Sequence, residues 1–203
     1  MQKITIIILC IVNILLSILC YSVFKKGNQR NNTEFQSELT RKTEILERDF
    51  KVRLLNDNLR IDPNAEVLSL DKKRYPLTQI LNEGPHLIVR FSERHCEECV
   101  SYILLKILRL TKVKGWNKKI ILLASYQNQN ALSVLMKKMA IKYPVYLIEN
   151  LSIPSEEFNF PYCFILDKSM HINHVFFPDK YEFQLTNTYL ELIENRYFNS
   201  DEI

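Results

Sequence analysis

Three different hydrophobic patterns follow one another along the chain. Ile4 to Phe24 reads ITIIILCIVNILLSILCYSVF, 21 residues without a charge. At about 1.5 Å rise per residue, a helix of that length crosses a hydrocarbon core of about 30 Å. Asn13, Ser17 and Ser22 are tolerable there, because a helix satisfies its own backbone and hydroxyls bond back to carbonyls. Residues 27–64 are polar, with Phe35, Leu39, Leu46 and Phe50 at helical spacing and Ile45, Leu54 and Leu55 near the same stripe. Lys42, Asp49 and Arg53 interrupt any heptad register. The pattern therefore fits a helical stalk that either packs on the next domain or pairs weakly with a second copy. Asp62-Pro63-Asn64 stops the helix and marks the domain boundary.

From Ala65 onward the chain alternates between strand and helix patterns. Strands are predicted at Glu66–Leu70, His86–Phe91, Ile120–Ala124 and Val145–Ile148. A helical turn is expected at Thr78–Asn82. Helices are predicted at Cys99–Val113, with Val100, Ile103, Leu104, Ile107 and Leu108 on one face, and at Ala131–Ile141. Tyr162–Leu166 and Ile172–Phe177, joined by the Asp167–Met170 turn, read as a hairpin, and Leu185–Phe198 closes the chain as an amphipathic helix. The order is a parallel strand–helix–strand–helix half followed by an antiparallel half, with helices available to cover both faces of one mixed sheet. The three regions are thus 1–26 (anchor and flanks), 27–64 (stalk) and 65–203 (an α/β domain).

Composition narrows the reading further. Within 203 residues, 27 basic against 23 acidic residues give a charge of +4, too balanced to imply nucleic-acid binding. Five cysteines are too few for a disulfide-stapled mini-protein. A cleaved signal peptide has an apolar core of about 7–15 residues and an A-x-A-like site, and the first segment has neither. A lipoprotein needs a small residue before its cysteine, whereas Leu9 precedes Cys10 and Leu19 precedes Cys20. An uncleaved single-pass anchor is the expectation. Local positive charge (Lys25, Lys26 and Arg30 against Lys3 and the amino terminus) places the following domain on the cytoplasmic side by about one charge, opposite to the topology adopted below.

Chemistry concentrates at Cys96-Glu97-Glu98-Cys99, between a predicted strand and a predicted helix. Two intervening residues at a helix start let the sulfurs approach bonding distance. The first thiol meets the unpaired N–H groups and positive end of the helix, which favour a thiolate, and the second is placed to resolve a mixed disulfide. The spacing alone also occurs in zinc sites, and its position at a β-to-α junction makes the redox reading the stronger one. Residues 66–203 resemble the thioredoxin-fold domain of membrane-anchored, extracytoplasmic thiol–disulfide oxidoreductases. The match is carried by the strand Leu87–Phe91, by the cysteine pair, and by Phe160-Pro161-Tyr162-Cys163-Phe164-Ile165-Leu166-Asp167. The resemblance implies a cis Pro161 whose loop lies against the cysteines, with Phe160 facing Cys96 and Cys99 and offering backbone to a substrate peptide.

Departures from that family concern tuning. His95, preceded by Arg94, stands where tryptophan is common, and Glu97-Glu98 replace Gly-Pro or Pro-Pro. Two carboxylates oppose the thiolate, while Arg94 and a charged His95 favour it. Arg90 occupies a position where relatives place a buried carboxylate; a guanidinium cannot accept the resolving thiol's proton, so it either stabilises the Cys99 thiolate or reaches the surface. Cys163 reads as a buried, inert thiol, and His171 and His174, three apart, fall on opposite strand faces. No cofactor or metal is implied. The expected partners are protein thiols and disulfides, an upstream thiol donor, and the membrane through residues 4–24. The expected location is the cell inner membrane, with the domain on the periplasmic side. The alternatives are a copper- or zinc-handling protein using Cys96, Cys99 and one histidine, and a non-redox interaction module that kept the fold.

Overall fold

A computed structural model of the chain describes residues 2–56, 58–81 and 84–199, and their side chains except at 2–12, 26–32, 111–114 and 117. It divides into two compact units, Met1–Arg48 and Asp49–Ile203. One helix, α1 (Gln2–Asn56), supplies the first unit and enters the second. Within the first, Ser17 Oγ donates to the Asn13 carbonyl at 2.9 Å and Ser22 Oγ to the Leu19 carbonyl at 2.8 Å, the back-bonding that lets hydroxyls sit on a helix. Among the described residues no helix is long and apolar enough to cross a membrane. The expected anchor, Ile4–Phe24, lies partly outside them, since its side chains are described only from Asn13.

The compact second unit begins earlier than the Pro63 boundary suggests. Val52 and Ile61 are buried in its core. The segment between them is fastened by backbone bonds: Ile61 N–H donates to the Met170 carbonyl at 2.9 Å, and Ile172 N–H to the Leu59 carbonyl at 2.8 Å. The last turns of α1 and the Leu59–Ile61 segment are therefore core structure of this unit, because apolar positions at 52 and 61 find a sheet face to cover.

The strands are β1 (Glu66–Ser69), β2 (Arg74–Pro76), β3 (His86–Ser92), β4 (Ile120–Ser125), β5 (Val145–Leu147), β6 (Tyr162–Leu166) and β7 (Asn173–Phe176). They form one sheet in the order β2-β1-β5-β4-β3-β6-β7. β3, β4 and β5 are parallel to one another, and every other pairing is antiparallel. The helices are α2 (Leu77–Ile80), α3 (Glu97–Lys114), α4 (Gln129–Lys138) and α5 (Phe183–Ile193), the last continued by a π turn, Glu194–Phe198. Side chains along β3 alternate between two cores: Leu87, Val89 and Phe91 face α3, α4 and α5, whereas Ile88 faces α2, Val52 and the 148–153 segment. Both βαβ crossovers advance in one direction along the sheet, and right-handed crossovers of that kind stack their helices on one face. The opposite face is closed by shorter pieces.

Two local features refine the sequence pattern. β2 is a three-residue edge strand containing Pro76, and an edge is where a proline does least harm to a ladder. The β6–β7 turn has no glycine; Met170 takes the left-handed conformation (φ 63°) while its buried side chain anchors the turn. Ser169 N–H donates to Asp167 Oδ1 at 2.8 Å, which gives the aspartate its place there.

Candidate active site

β3 ends at Ser92, three residues turn the chain, and Cys96 stands immediately before the first residue of α3. The junction forms here because a five-residue run (Leu87–Phe91, interrupted only by Arg90) gives way to the mostly polar residues 92–98 and then to a 3.6-residue apolar stripe. Cys96 is exposed, Cys99 is half-buried, and both are free thiols. The Cys96 carbonyl accepts from the N–H groups of Cys99 and Val100, each at 3.0 Å, so the helix starts on this residue. Cys99 N–H also donates to Cys96 Sγ at 3.4 Å.

That geometry splits the two thiols. The Cys96 thiol titrates below its ordinary range, first because the Cys99 side chain hydrogen-bonds to it, then through the backbone N–H groups of Cys99 and Glu98 and the charge of Lys180. Cys99 moves the other way, up to about 11, because burial and the neighbouring Cys96 sulfur both oppose a second negative charge. An exposed, thiolate-prone sulfur beside a shielded one is the arrangement a nucleophile and its resolving partner require.

The flanking residues correct several expectations. His95 is not a cation: burial, and then the Arg90 guanidinium, lower it to about 4. Its Nδ1 accepts the Ser92 N–H at 3.1 Å, so the ring ties the loop back to β3 as a neutral imidazole. Arg90 does not reach the surface, and its hydrogen bonds run to the 148–156 segment and not to Cys99. It is 1% exposed and donates through Nε and Nη2 to the Glu156 carboxylate (2.8 and 3.1 Å), and through Nη1 and Nη2 to the Ile148 and Glu149 carbonyls (2.8 and 2.9 Å). Tyr162 Oη donates to the same Glu156 carboxylate at 3.0 Å. A guanidinium cannot be left unpaired inside a sheet, and here Glu156 and two carbonyls clamp it.

The two carboxylates of the motif each meet a lysine. Glu98 pairs with Lys180 from the segment before α5, and Glu97 lies 3.6 Å from Lys138. The cation of Lys180, held in place by Glu98, favours the Cys96 thiolate. Sequence reasoning missed Lys180 and Glu156. A single arginine inside an apolar strand was a signal that a buried acid had to exist, but nothing local said which one.

The Phe160–Pro161 bond is trans, as is every peptide bond among the described residues, so the cis proline implied by the resemblance is corrected. The chain reverses into β6 through Asn159, at φ 52°, and the backbone needs no cis bond to make that turn. Tyr162 pairs in register with Arg90, and β6 runs antiparallel to β3, so Phe160 and Pro161 arrive at the sheet edge where β3 leads into the thiol loop. Pro161 is buried there and Phe160 is 44% exposed. Cys163, facing α3, is fully buried, and burial raises its thiol well above the ordinary range, which leaves it inert. Among the described residues no group of three or more His, Cys, Asp or Glu side chains is placed to hold a metal ion. A cleft of about 760 Å³, lined in part by Arg90, Arg94, His95, Tyr126, Glu149 and Glu156, adjoins the loop.

No family model matches the chain, and no curated protein matches it in sequence. Solved structures do. The chain is similar to a mutant of PrxQ from Xylella fastidiosa (11% identity, covering 70% of this chain and 97% of that one, TM-score 0.50). It also resembles a thioredoxin-like protein from Porphyromonas gingivalis (20% identity, 66% and 92% covered, TM-score 0.48). A third neighbour is the thioredoxin domain of a thiol-disulfide oxidoreductase from Bacteroides vulgatus (9% identity, 65% and 96% covered, TM-score 0.47). At these identities the likeness concerns architecture: a thioredoxin-like α/β fold with a mixed sheet and flanking helices.

Proposed function

We propose that this chain is a membrane-tethered thiol–disulfide oxidoreductase that reduces protein disulfides outside the cytoplasm through Cys96 and Cys99. One observation carries the reading: an exposed Cys96 sulfur accepts hydrogen bonds from Cys99 at the start of α3, while Cys99 itself stays partly shielded. The Cys96 thiolate attacks one sulfur of a substrate disulfide, forming a mixed disulfide and releasing the other substrate sulfur as a thiolate that takes a proton from water. Cys96 then no longer carries negative charge, so one cause of the high Cys99 value disappears and Cys99 ionises more readily. The Cys99 thiolate attacks Cys96 Sγ, the second substrate thiol leaves, and two electrons have passed from the protein to the substrate. An upstream dithiol donor returns the Cys96–Cys99 disulfide to the thiol state. The exposed Phe160 beside buried Pro161 gives an extended substrate an apolar contact at the same edge. The uncharged Ile4–Phe24 segment supplies the tether.

Replacing Cys99 with Ala tests the assignment in cells. Substrates accumulate on Cys96 as mixed disulfides that dithiothreitol releases, and a variant that captures nothing overturns it. A membrane-impermeant maleimide applied to intact cells labels Cys96 when the domain lies outside the cytoplasm. Labelling only after lysis moves the domain inside.

A further inference from the structure

The polar part of α1 carries apolar side chains on two faces, and only one of them is covered. At about 100° of rotation per residue, Phe35, Leu39 and Leu46 fall within an arc of about 40°. All three are at least half exposed, and Phe50, next in the same spacing, is exposed as well. Ile45, about 100° around the helix from that stripe, is buried, and Val52, one heptad after it, lies in the core of the second unit. The covered face of α1 is therefore not the face that carries the stripe.

The polar residues beside the stripe match a second copy of it. In a parallel, in-register pair of helices, charges on opposite flanks of the seam meet when they are five residues apart, one from each chain. Lys42 and Glu47 are exposed, opposite in sign, five apart and placed about 70° to either side of the line through Leu39, Thr43 and Leu46. Each chain's lysine then meets the other's glutamate, twice by symmetry. Lys42 also pairs with Glu38 of its own helix at 2.8 Å, which holds it at that flank. Thr43 suits a seam, because its Oγ1 already donates to the Leu39 carbonyl at 3.0 Å and leaves a methyl to be covered. Arg53 takes a later seam position and ends the run after Phe50.

We infer that α1 pairs in parallel with α1 of a second copy, through Leu39, Thr43, Leu46 and Phe50 and the Lys42–Glu47 cross-pairs. The parallel orientation rests on the tether proposed above, since two chains anchored by Ile4–Phe24 rise from the same membrane face. The seam is under two heptads long, so the pair is weak in free solution and gains from the high local concentration a membrane imposes.

The test is disulfide cross-linking of the full-length chain with Cys10, Cys20, Cys96 and Cys99 replaced by Ser, which makes the outcome independent of the thiol chemistry. Cells expressing it are separated into membrane and soluble fractions, and both are mildly oxidised. Leu39→Cys and Leu46→Cys are each expected to give a cross-linked pair, at least tenfold faster than Glu44→Cys, an exposed position away from the seam. Glu47→Lys is expected to slow cross-linking of the Leu46→Cys chain about fivefold, and adding Lys42→Glu to restore it. No cross-link at either seam position, a cross-link at only one of them (the mark of antiparallel pairing), an equal rate at Glu44→Cys, or a rate unmoved by Glu47→Lys overturns the proposal. The fractions keep the two readings apart. A chain in the soluble fraction overturns the tether while its cross-links still decide the pair, and a membrane-bound chain without cross-links overturns the pair alone.

Discussion

Two ion pairs flank the thiol loop, and they are built in opposite ways. Arg90–Glu156 lies under the sheet edge, with side chains 1% and 18% exposed, and its charges are spent on two carbonyls, a tyrosine hydroxyl and each other. Lys180–Glu98 lies at the rim, where the glutamate is 75% exposed. Burial makes the first pair a constraint on geometry: it fixes β3, β6 and the 148–156 segment together, and leaving either partner alone strands a charge in a poor solvent. Exposure makes the second pair a source of local potential, screened by salt and cheap to remove. Stability and thiol reactivity are thereby assigned to different charges a short distance apart.

That division is open to test by substitution, beginning with the thiols it serves. Cys96→Ser is expected to lower insulin-disulfide reduction about a hundredfold or more, since the remaining thiol is half-buried and burial disfavours its thiolate. Retained turnover in Cys96→Ser would place the nucleophile elsewhere. Next in size is the buried pair. Glu156→Ala is expected to cost about 3–5 kcal/mol in urea unfolding, and the double change Arg90→Met with Glu156→Leu to recover much of the loss. A single change that costs nothing would mean that water reaches the clamp.

The third prediction concerns pH. In the folded state His95 binds a proton only near pH 4, whereas an unfolded histidine does so near 6.5. The unfolded chain therefore takes up the proton first, and stability present above about pH 6.5 is lost as the pH falls toward 4. His95→Asn should flatten that part of the stability profile relative to the unaltered protein, and parallel profiles would show that the ring is freely solvated. The smallest effect belongs to the rim. Lys180→Met is expected to move the Cys96 thiolate absorbance to higher pH without altering the unfolding midpoint. A changed midpoint with an unchanged thiol titration would reverse the roles given to the two pairs.

Much of the fold was legible because it is written locally. The apolar runs at 87–91 and 120–124, the 3.6-residue stripe after Cys99 and the turn signals around Asp167 each depend on neighbours a few residues away. The cysteine pair was legible for the same reason. Pro161 was not: its peptide bond is trans, and a resemblance in residue type carries no dihedral angle. His95 looked like a cation because sequence shows neither its burial nor the arginine beside it. The early start of the compact unit was hidden because Val52 and Ile61 read as parts of a polar stalk until a sheet face is there to receive them.

The primary structure by itself determined where strand gives way to helix and that two thiols stand at that border, since both follow from periodicity and spacing within about a dozen residues. Only tertiary structure decided what tunes those thiols. Glu156 is 66 positions from Arg90 and Lys180 is 82 from Glu98, and such partners meet through packing of a seven-stranded sheet rather than through any local preference. The same packing left Cys96 open to solvent and Cys163 sealed from it, turning chemically identical side chains into one reactive sulfur and one inert one.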